Sequence, residues 1–261
     1  MPLADPAVSI GSITNNASYQ RVSKFGRATI GTTFSPICFQ VTTDGPVYRT
    51  PTPSNAAFLR VAAGNADDAQ GGTGARTVFI QGILQDGSVA EEILQTNGTS
   101  AGPWSKNKYM RLFRSYVQDS GTYAIQDAGS HAGDIEIEGS DGNNWLKIDA
   151  NEFPRAQSEV GAFTVPLGKN CYIERFNFSA DANKLVELVF FQCRGILDET
   201  APFRPMRIVF SVSSLNNQAD RIFNPLLGPF PECTDLGVMA KVASTTNEVH
   251  VDFELILIDN E

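Results

Sequence analysis

Histidine is scarce in this 261-residue sequence, which contains only His131 and His250. A Ser-His-Asp site needs one of these two histidines as its central member, so it has few ways to form. His131 lies in the segment GSHAG, which we interpret as a solvated loop. The sequence therefore predicts a protein that is not an enzyme.

Basic residues are outnumbered, with 20 Lys and Arg against 29 Asp and Glu, and the formal net charge is −9. Nucleic-acid affinity depends on Lys and Arg displacing counterions from phosphates, so we expect no nucleic-acid partner. No apolar run approaches the roughly 18 residues that a membrane helix needs, and residues 1–5 do not resemble a secretory signal. We therefore expect no membrane partner and a protein made in the cytoplasm.

The four cysteines, Cys38, Cys171, Cys193 and Cys233, are widely scattered. None forms the C-x-x-C pair that zinc sites and redox motifs use. Free cysteine is usually buried in a protein core, so we expect four buried thiols. The sequence predicts no cofactor.

Two groups of acidic residues alternate with apolar ones. Asp134, Glu136 and Glu138 precede the turn sequence DGNN, and Asp252 and Glu254 follow His250 in a second alternating segment. Carboxylates on one strand face are ligands that calcium accepts, but the ordered spacing of a calcium loop is missing. We interpret both groups as solvated strand faces and predict no metal site.

The segment GGTGARTVFIQGI begins like a phosphate-binding loop. A dinucleotide site needs a third glycine and a following helix, whereas Thr77 stands in the place of that glycine. The residues that follow are β-branched and aromatic, and Asp86-Gly87 then predicts a hairpin turn. We interpret this region as a loop, a strand, a turn and a second strand.

Apolar residues recur with a period of two in short runs separated by Gly, Asn, Asp and Pro, which is typical of strands and turns. The clearest run is residues 249–257, where odd positions are apolar. With 42% hydrophobic residues, the chain has enough apolar material for two domains. We predict an all-β fold with two β-sandwich, jelly-roll-like domains, residues 30–152 and 153–261, divided at a polar run containing Pro154.

Residues 1–29 are mostly polar and lack sustained periodicity, which predicts an extended N-terminal arm. Val8, Ile10 and Ile13 are scattered apolar residues there, too few to bury a core locally. We expect these three residues to be anchors for a neighbouring protein.

Four aromatic residues suggest a further binding surface: Trp104, Tyr109, Tyr116 and Trp145. Such rings could form a platform on which sugars stack, although strand aromatics more often lie in cores or interfaces. We name Trp104 and Tyr109 as candidate interaction residues.

Several segments resemble a recurring pattern in virion proteins of tailed bacteriophages. Residues 72–99 carry GTGAR, a strand, a DG turn and EEILQTNGTS, and later segments carry TVPLGKNCYI, NKLVEL, FPECTDL and VDFELILID. The resemblance implies a non-enzymatic structural component of the virion, on the outer capsid or tail. It also implies partners among other phage capsid or tail proteins and, because sandwich edges need covering, a homo-oligomer such as a trimer. The alternative is a carbohydrate-binding module of a tail fibre or spike.

Overall fold

The computed structural model describes residues 19–38, 53–122, 130–150, 156–180, 184–215 and 218–260. Within these ranges the regular structure is almost entirely strand, and one turn of 3-10 helix spans Pro53–Asn55. The all-β prediction is confirmed. Among the described residues, no helix has the length and apolar character needed to cross a bilayer. The strands are β1 (Tyr19–Ile30), β2 (Ser35–Pro36), β3 (Ala57–Val61), β4 (Ala75–Leu84), β5 (Val89–Gln95), β6 (Lys108–Ser120), β7 (Ile135–Gly139), β8 (Asn144–Ile148), β9 (Ala162–Thr164), β10 (Lys169–Ala180), β11 (Val186–Arg194), β12 (Arg207–Leu215), β13 (Gln218–Phe230), β14 (Thr234–Val242) and β15 (Asn247–Asp259).

Strand β15 shows how the sequence pattern produces the sheet. Its odd positions from Val249 to Leu257 are buried, while His250 and Asp252 lie on the opposite face. Successive side chains of a strand point to opposite faces, so period-two alternation places all the apolar groups in the core. β15 pairs with β1 on one side and β10 on the other.

The chain divides into two compact units. The first contains the described residues of 19–38, 161–195 and 204–260. Its two antiparallel sheets have the strand orders β1-β15-β10-β13 and β12-β11-β14-β2, with β9 also paired to β14. Phe176 and Phe253 of the first sheet pack against Phe190 of the second, with ring centroids 5.6 to 5.9 Å apart. The two sheets therefore form a sandwich with an aromatic core.

The second unit contains the described residues of 53–160 and 196–203. Its strands form one antiparallel sheet in the order β5-β4-β6-β3-β7-β8, and β6 also lies against β8. Buried side chains from several strands fill its core, including Trp145, Leu59 and Ile80. Strand β5 lies at one end of this sheet.

The limits of these units differ from the sequence prediction. Residues 19–29, which we expected in the arm, form most of β1 and pair along their whole length with β15. Residues 156–160 belong to the second unit, so the change of unit falls between Val160 and Gly161 and not near residue 153. Strand β1 is difficult to recognise in the sequence because its pairing partner lies at the other end of the chain.

Candidate interaction surface

The glycine-rich loop that precedes β4 is bound to its own neighbours. The Asp68 carboxylate is buried and accepts backbone hydrogen bonds from Ala75 at 2.7 Å and from Ala132 and Gly133, both at 2.9 Å. The Gly74 amide donates to the Asp67 carbonyl at 2.9 Å. These amides, the groups with which a phosphate loop would bind an anion, already have acceptors. The interpretation of this region as a loop followed by a strand agrees with the structure.

The two histidines have structural partners. His131 was expected to be a solvated loop residue, and this expectation is wrong because its side chain is buried. Its Nε2 lies 3.1 Å from the Asp149 carbonyl oxygen and its Nδ1 lies 3.0 Å from the Ser130 hydroxyl. His250 is more exposed and pairs with Glu248 at 3.0 Å. The Asp149 contact comes from its backbone and not its carboxylate, so these groups do not have the arrangement of a catalytic triad.

The acidic strand residues near DGNN each have a separate partner. Asp134 forms an ion pair with Lys147, Glu136 accepts from the Asn144 amide at 2.9 Å, and Glu138 pairs with Arg60 at 2.5 Å. Burial favours a higher pKa for Asp134, but the Lys147 ammonium and the Ala150 amide together hold this pKa below its usual value. Within the described part of the chain, no group of three or more His, Cys, Asp or Glu side chains has a metal-binding arrangement.

The outer face of β15 carries acidic side chains that lie near one another and near Arg175. Burial raises the pKa of Asp252, and the nearby Asp220 and Glu254 act in the same direction, while Arg175 opposes them. Arg175 itself forms a two-pronged pair with Asp220 at 2.9 and 3.1 Å. This face is therefore a network of mutually compensating charges.

The cysteines are all free thiols. Three are buried as expected, but Cys193 is partly exposed, so the expectation of four buried thiols is wrong at that position. Desolvation raises the pKa of Cys171, and desolvation together with Glu232 and Asp235 raises the pKa of Cys233 to about 11.

Trp104 lies on the surface with 43% of its area exposed. The Arg60 guanidinium carbon lies 4.1 Å from the centre of its indole ring, and Arg60 is held in turn by Glu138. Cation-π contact of this kind fixes the orientation of the ring. Trp104 is therefore an ordered, accessible aromatic residue, and its role in binding remains a prediction.

Tyr109 does not share that surface, because its side chain is fully buried. Its hydroxyl donates to Glu92 Oε1 at 3.2 Å, and burial together with this carboxylate raises the pKa of the phenol. Trp145 is also buried, while Tyr116 is partly exposed and stacks on Phe79 at 4.6 Å. The proposed platform of four aromatic residues is thus not formed, and Tyr109 is a core residue.

The outer side of β5 forms a cavity of about 540 Å³. Ile93 is 58% exposed there and lies opposite Phe79 on β4. Glu92 is tied to the loop before β6, because it accepts from the amides of Lys106 at 2.8 Å and Asn107 at 2.9 Å. The cavity combines apolar walls with two carboxylates and one ammonium; its lining residues are Phe79, Glu91, Glu92, Ile93, Lys106 and Asn107.

The first unit also exposes large apolar side chains on strands at the ends of its sheets. Ile208 on β12 is 65% exposed and Ile222 on β13 is 70% exposed. We did not predict these positions. The alternation in residues 206–212 favoured one buried face, but a register shift between β11 and β12 occurs between Phe210 and Ile208. The exposure of Ile93 could have been predicted from the sequence, because this residue shares its strand face with the charged Glu91.

The arm residues Val8, Ile10 and Ile13 lie outside the described residues. Their assignment as anchors stays a prediction.

Comparisons with known proteins add little. No protein-family model matches the sequence, and no curated protein matches it. Among solved structures, the structure of infectious bursal disease virus, Gx strain, matches at 8% identity, covering 94% of this chain and 76% of that chain, with a TM-score of 0.15. A TM-score this low does not indicate a shared fold.

Proposed function

We propose that this chain is a non-enzymatic structural protein of a tailed-bacteriophage virion, which self-associates and packs on the outer capsid or tail. The motifs in residues 72–99 and in the C-terminal half, which resemble those of phage virion proteins, provide the starting point. The proposal also needs a surface that is suited to assembly.

The observation that carries the proposal is the exposure of large apolar side chains on terminal strands of the sheets. Ile93, Ile208 and Ile222 are each more than half exposed. A terminal strand with exposed apolar groups is a site for pairing with another chain, and natural proteins usually protect such edges. Assembly into a particle would cover these side chains.

The charge of the chain supports a position on the outside of the particle. The formal net charge of −9 would repel packaged DNA, whereas an acidic outer surface favours solubility. The partners we propose are therefore other copies of this chain and the capsid or tail proteins beneath it.

Two polar side chains of the kind that enzymes use in their sites have partners within the protein. Asp68 binds three backbone amides, and His131 binds a hydroxyl and a backbone carbonyl. Such groups hold loops in place, which suits a protein whose role is mechanical.

Quantitative mass spectrometry of gradient-purified particles tests this proposal. Particles of the phage that encodes the chain should contain it in a fixed copy number relative to another virion protein, and washing in high salt should not remove it. A chain that is abundant in the infected cell but absent from particles would overturn the proposal.

A second candidate is a carbohydrate-binding module, which the exposed and oriented ring of Trp104 favours. Aromatic rings stack on sugars through their apolar faces. Binding to a glycan array that Trp104→Ala abolishes, while the fold and particle association stay unchanged, would support this function. No binding by the wild-type protein would exclude it for the glycans present on the array.

A further inference from the structure

Strand β5 is an acidic edge. It is the terminal strand of its sheet, where it pairs with β4. Its sequence VAEEILQ contains two carboxylates and no cation, and Val89, Glu91 and Ile93 are exposed. Glu91 accepts one hydrogen bond, from the Gln81 amide at 2.7 Å. The adjoining cavity is large enough to receive side chains from another molecule.

Strand β12 is a basic edge of the other unit. It is the terminal strand of the five-stranded sheet, where it pairs with β11. Its sequence RIVFSVSSL contains one cation and no carboxylate, and Arg204 and Met206 lie just before it. Arg207 and Ile208 are exposed, and among the described residues Arg207 has no carboxylate partner. Arg204 and Arg207 are thus two exposed cations at this edge, in a chain whose formal net charge is −9.

We propose that β5 of one copy pairs with β12 of a second copy, so that Glu91 faces Arg207 across the interface. The pairing specifies the self-association that is part of the proposed function and rests on it. Opposite charges at the two edges attract, and sheet pairing gives partners to the backbone groups along both edges.

The alternative pairings between identical edges are disfavoured by charge. Two β5 strands would bring Glu91 and Glu92 of both copies together, and two β12 strands would bring their Arg207 side chains together. Like charges across an interface lower affinity and select against the wrong partner. The edge of β13 is a poorer partner because Pro225 and Pro229 lack the backbone N–H that sheet pairing uses.

The pairing predicts the symmetry of the assembly. The two edges are different surfaces of one chain, so a pair of copies still has one free β12 edge on the first copy and one free β5 edge on the second. Contacts of this head-to-tail kind build a ring when the rotation closes. A ring agrees with the expectation of a closed homo-oligomer.

Charge reversal tests the pairing in the full chain, with sedimentation equilibrium at low ionic strength, where screening is weak. Glu91→Arg and Arg207→Glu should each weaken association by about tenfold or more, and the double variant should restore it to near the wild-type value. Asp67→Arg is the matched control, because Asp67 is exposed, carries the same charge and lies on neither edge. Circular dichroism and thermal unfolding check the fold of each variant. The variants Glu91→Gln and Arg207→Gln repeat the test with smaller changes of charge.

The outcomes separate this proposal from the proposed function. If the wild-type chain and both single variants associate equally well, the edge pairing is wrong and self-association through another surface stands. If both single variants are weakened and the double variant is not restored, the two residues do not face each other and the pairing is also wrong. A wild-type chain that stays monomeric at every concentration contradicts both the pairing and intrinsic self-association, while its presence in purified particles would still support a virion role.

Discussion

At the scale of single residues, the buried carboxylate of Asp68 connects three segments of the second unit. It is only 3% exposed, and it accepts from the amides of Ala75, Ala132 and Gly133. Hydrogen bonds to a charged acceptor are stronger than neutral ones, and donors left unsatisfied in a core are costly. Asp68 therefore fixes the loop that leads into β4.

Substitution of Asp68 should destabilise the protein strongly. Asp68→Ala leaves three buried amides without this acceptor, and we expect a loss of about 3 kcal/mol in the free energy of unfolding. Asp68→Asn keeps one carbonyl oxygen and should cost less. Urea unfolding provides the measurement, and Asp67→Ala, at an exposed neighbour, is the control. Equal stability of the Asp68→Ala and Asp67→Ala variants would show that the carboxylate does not hold the loop.

The thiols should differ sharply in reactivity. Cys193 is partly exposed, whereas Cys38, Cys171 and Cys233 are buried, and the raised pKa values of Cys171 and Cys233 reduce their thiolate fractions further. Since the thiolate is the reactive form, the folded protein at about pH 8 should show one fast-reacting thiol with a disulfide reagent. Cys193→Ser should remove this fast phase. Two or more fast phases in the folded protein, or a fast phase that survives in Cys193→Ser, would contradict the described burial.

At the scale of elements, β1 is held close to two other segments. A Cβ atom at Gly26 would lie 2.2 Å from the Ile37 carbonyl oxygen and 2.3 Å from the Gly161 amide nitrogen. Both neighbours are backbone atoms, which cannot move away as a side chain can. Strand β1 therefore approaches them only because residue 26 has no side chain.

Gly26→Ala should consequently destabilise the first unit by about 3 kcal/mol or more, because overpacking against backbone forces the strands apart. Gly31→Ala is the matched control, since a Cβ there has no neighbour within 4 Å, and it should change stability by less than about 0.5 kcal/mol. Thermal unfolding of both variants decides the matter. If the Gly26→Ala variant unfolds at the same temperature as the wild-type protein, β1 does not pack as described.

The strands that could be predicted from sequence are those with regular alternation. In β15 the apolar odd positions led directly to the buried face, and the turn at Asp86-Gly87 separated β4 from β5 correctly. Strand β1 was missed because its exposed residues resemble an arm and its partner is distant in sequence. The exposure of Ile208 was missed because a register shift leaves no mark in the residue pattern.

The candidate surface was predictable only in part. The exposure of Trp104 agrees with its choice as an interaction residue, but Tyr109 is buried, because its hydroxyl reaches Glu92 on another strand. A tyrosine in a strand can face either way, and only the position of its partner decides which. The same holds for His131, whose burial depends on the carbonyl of Asp149.

At the scale of the whole molecule, different parts of the chain have different proposed tasks. In the proposed pairing, the edges β5 and β12 connect copies to each other, whereas residues 1–18 carry the predicted anchors for an underlying protein. These tasks are separable because β1 begins at Tyr19, so that removal of residues 1–18 leaves every described strand in place.

Deletion of residues 1–18 should therefore leave a folded protein that still self-associates but binds poorly to particles. The expected loss follows from the removal of Val8, Ile10 and Ile13, whose apolar side chains need a surface supplied by another protein. Co-sedimentation with particles assembled without this chain measures the attachment, with the full-length chain as the control. Equal attachment of the two forms would assign attachment to the sandwich surfaces.

The central claim is that the chain is a repeated structural component of a virion. Electron cryo-microscopy of intact particles at subnanometre resolution tests it most directly. The account predicts density for both units at symmetry-related positions on the outer capsid or tail, with β5 of one copy beside β12 of the next. Particles that contain no density for this chain at any position would contradict it.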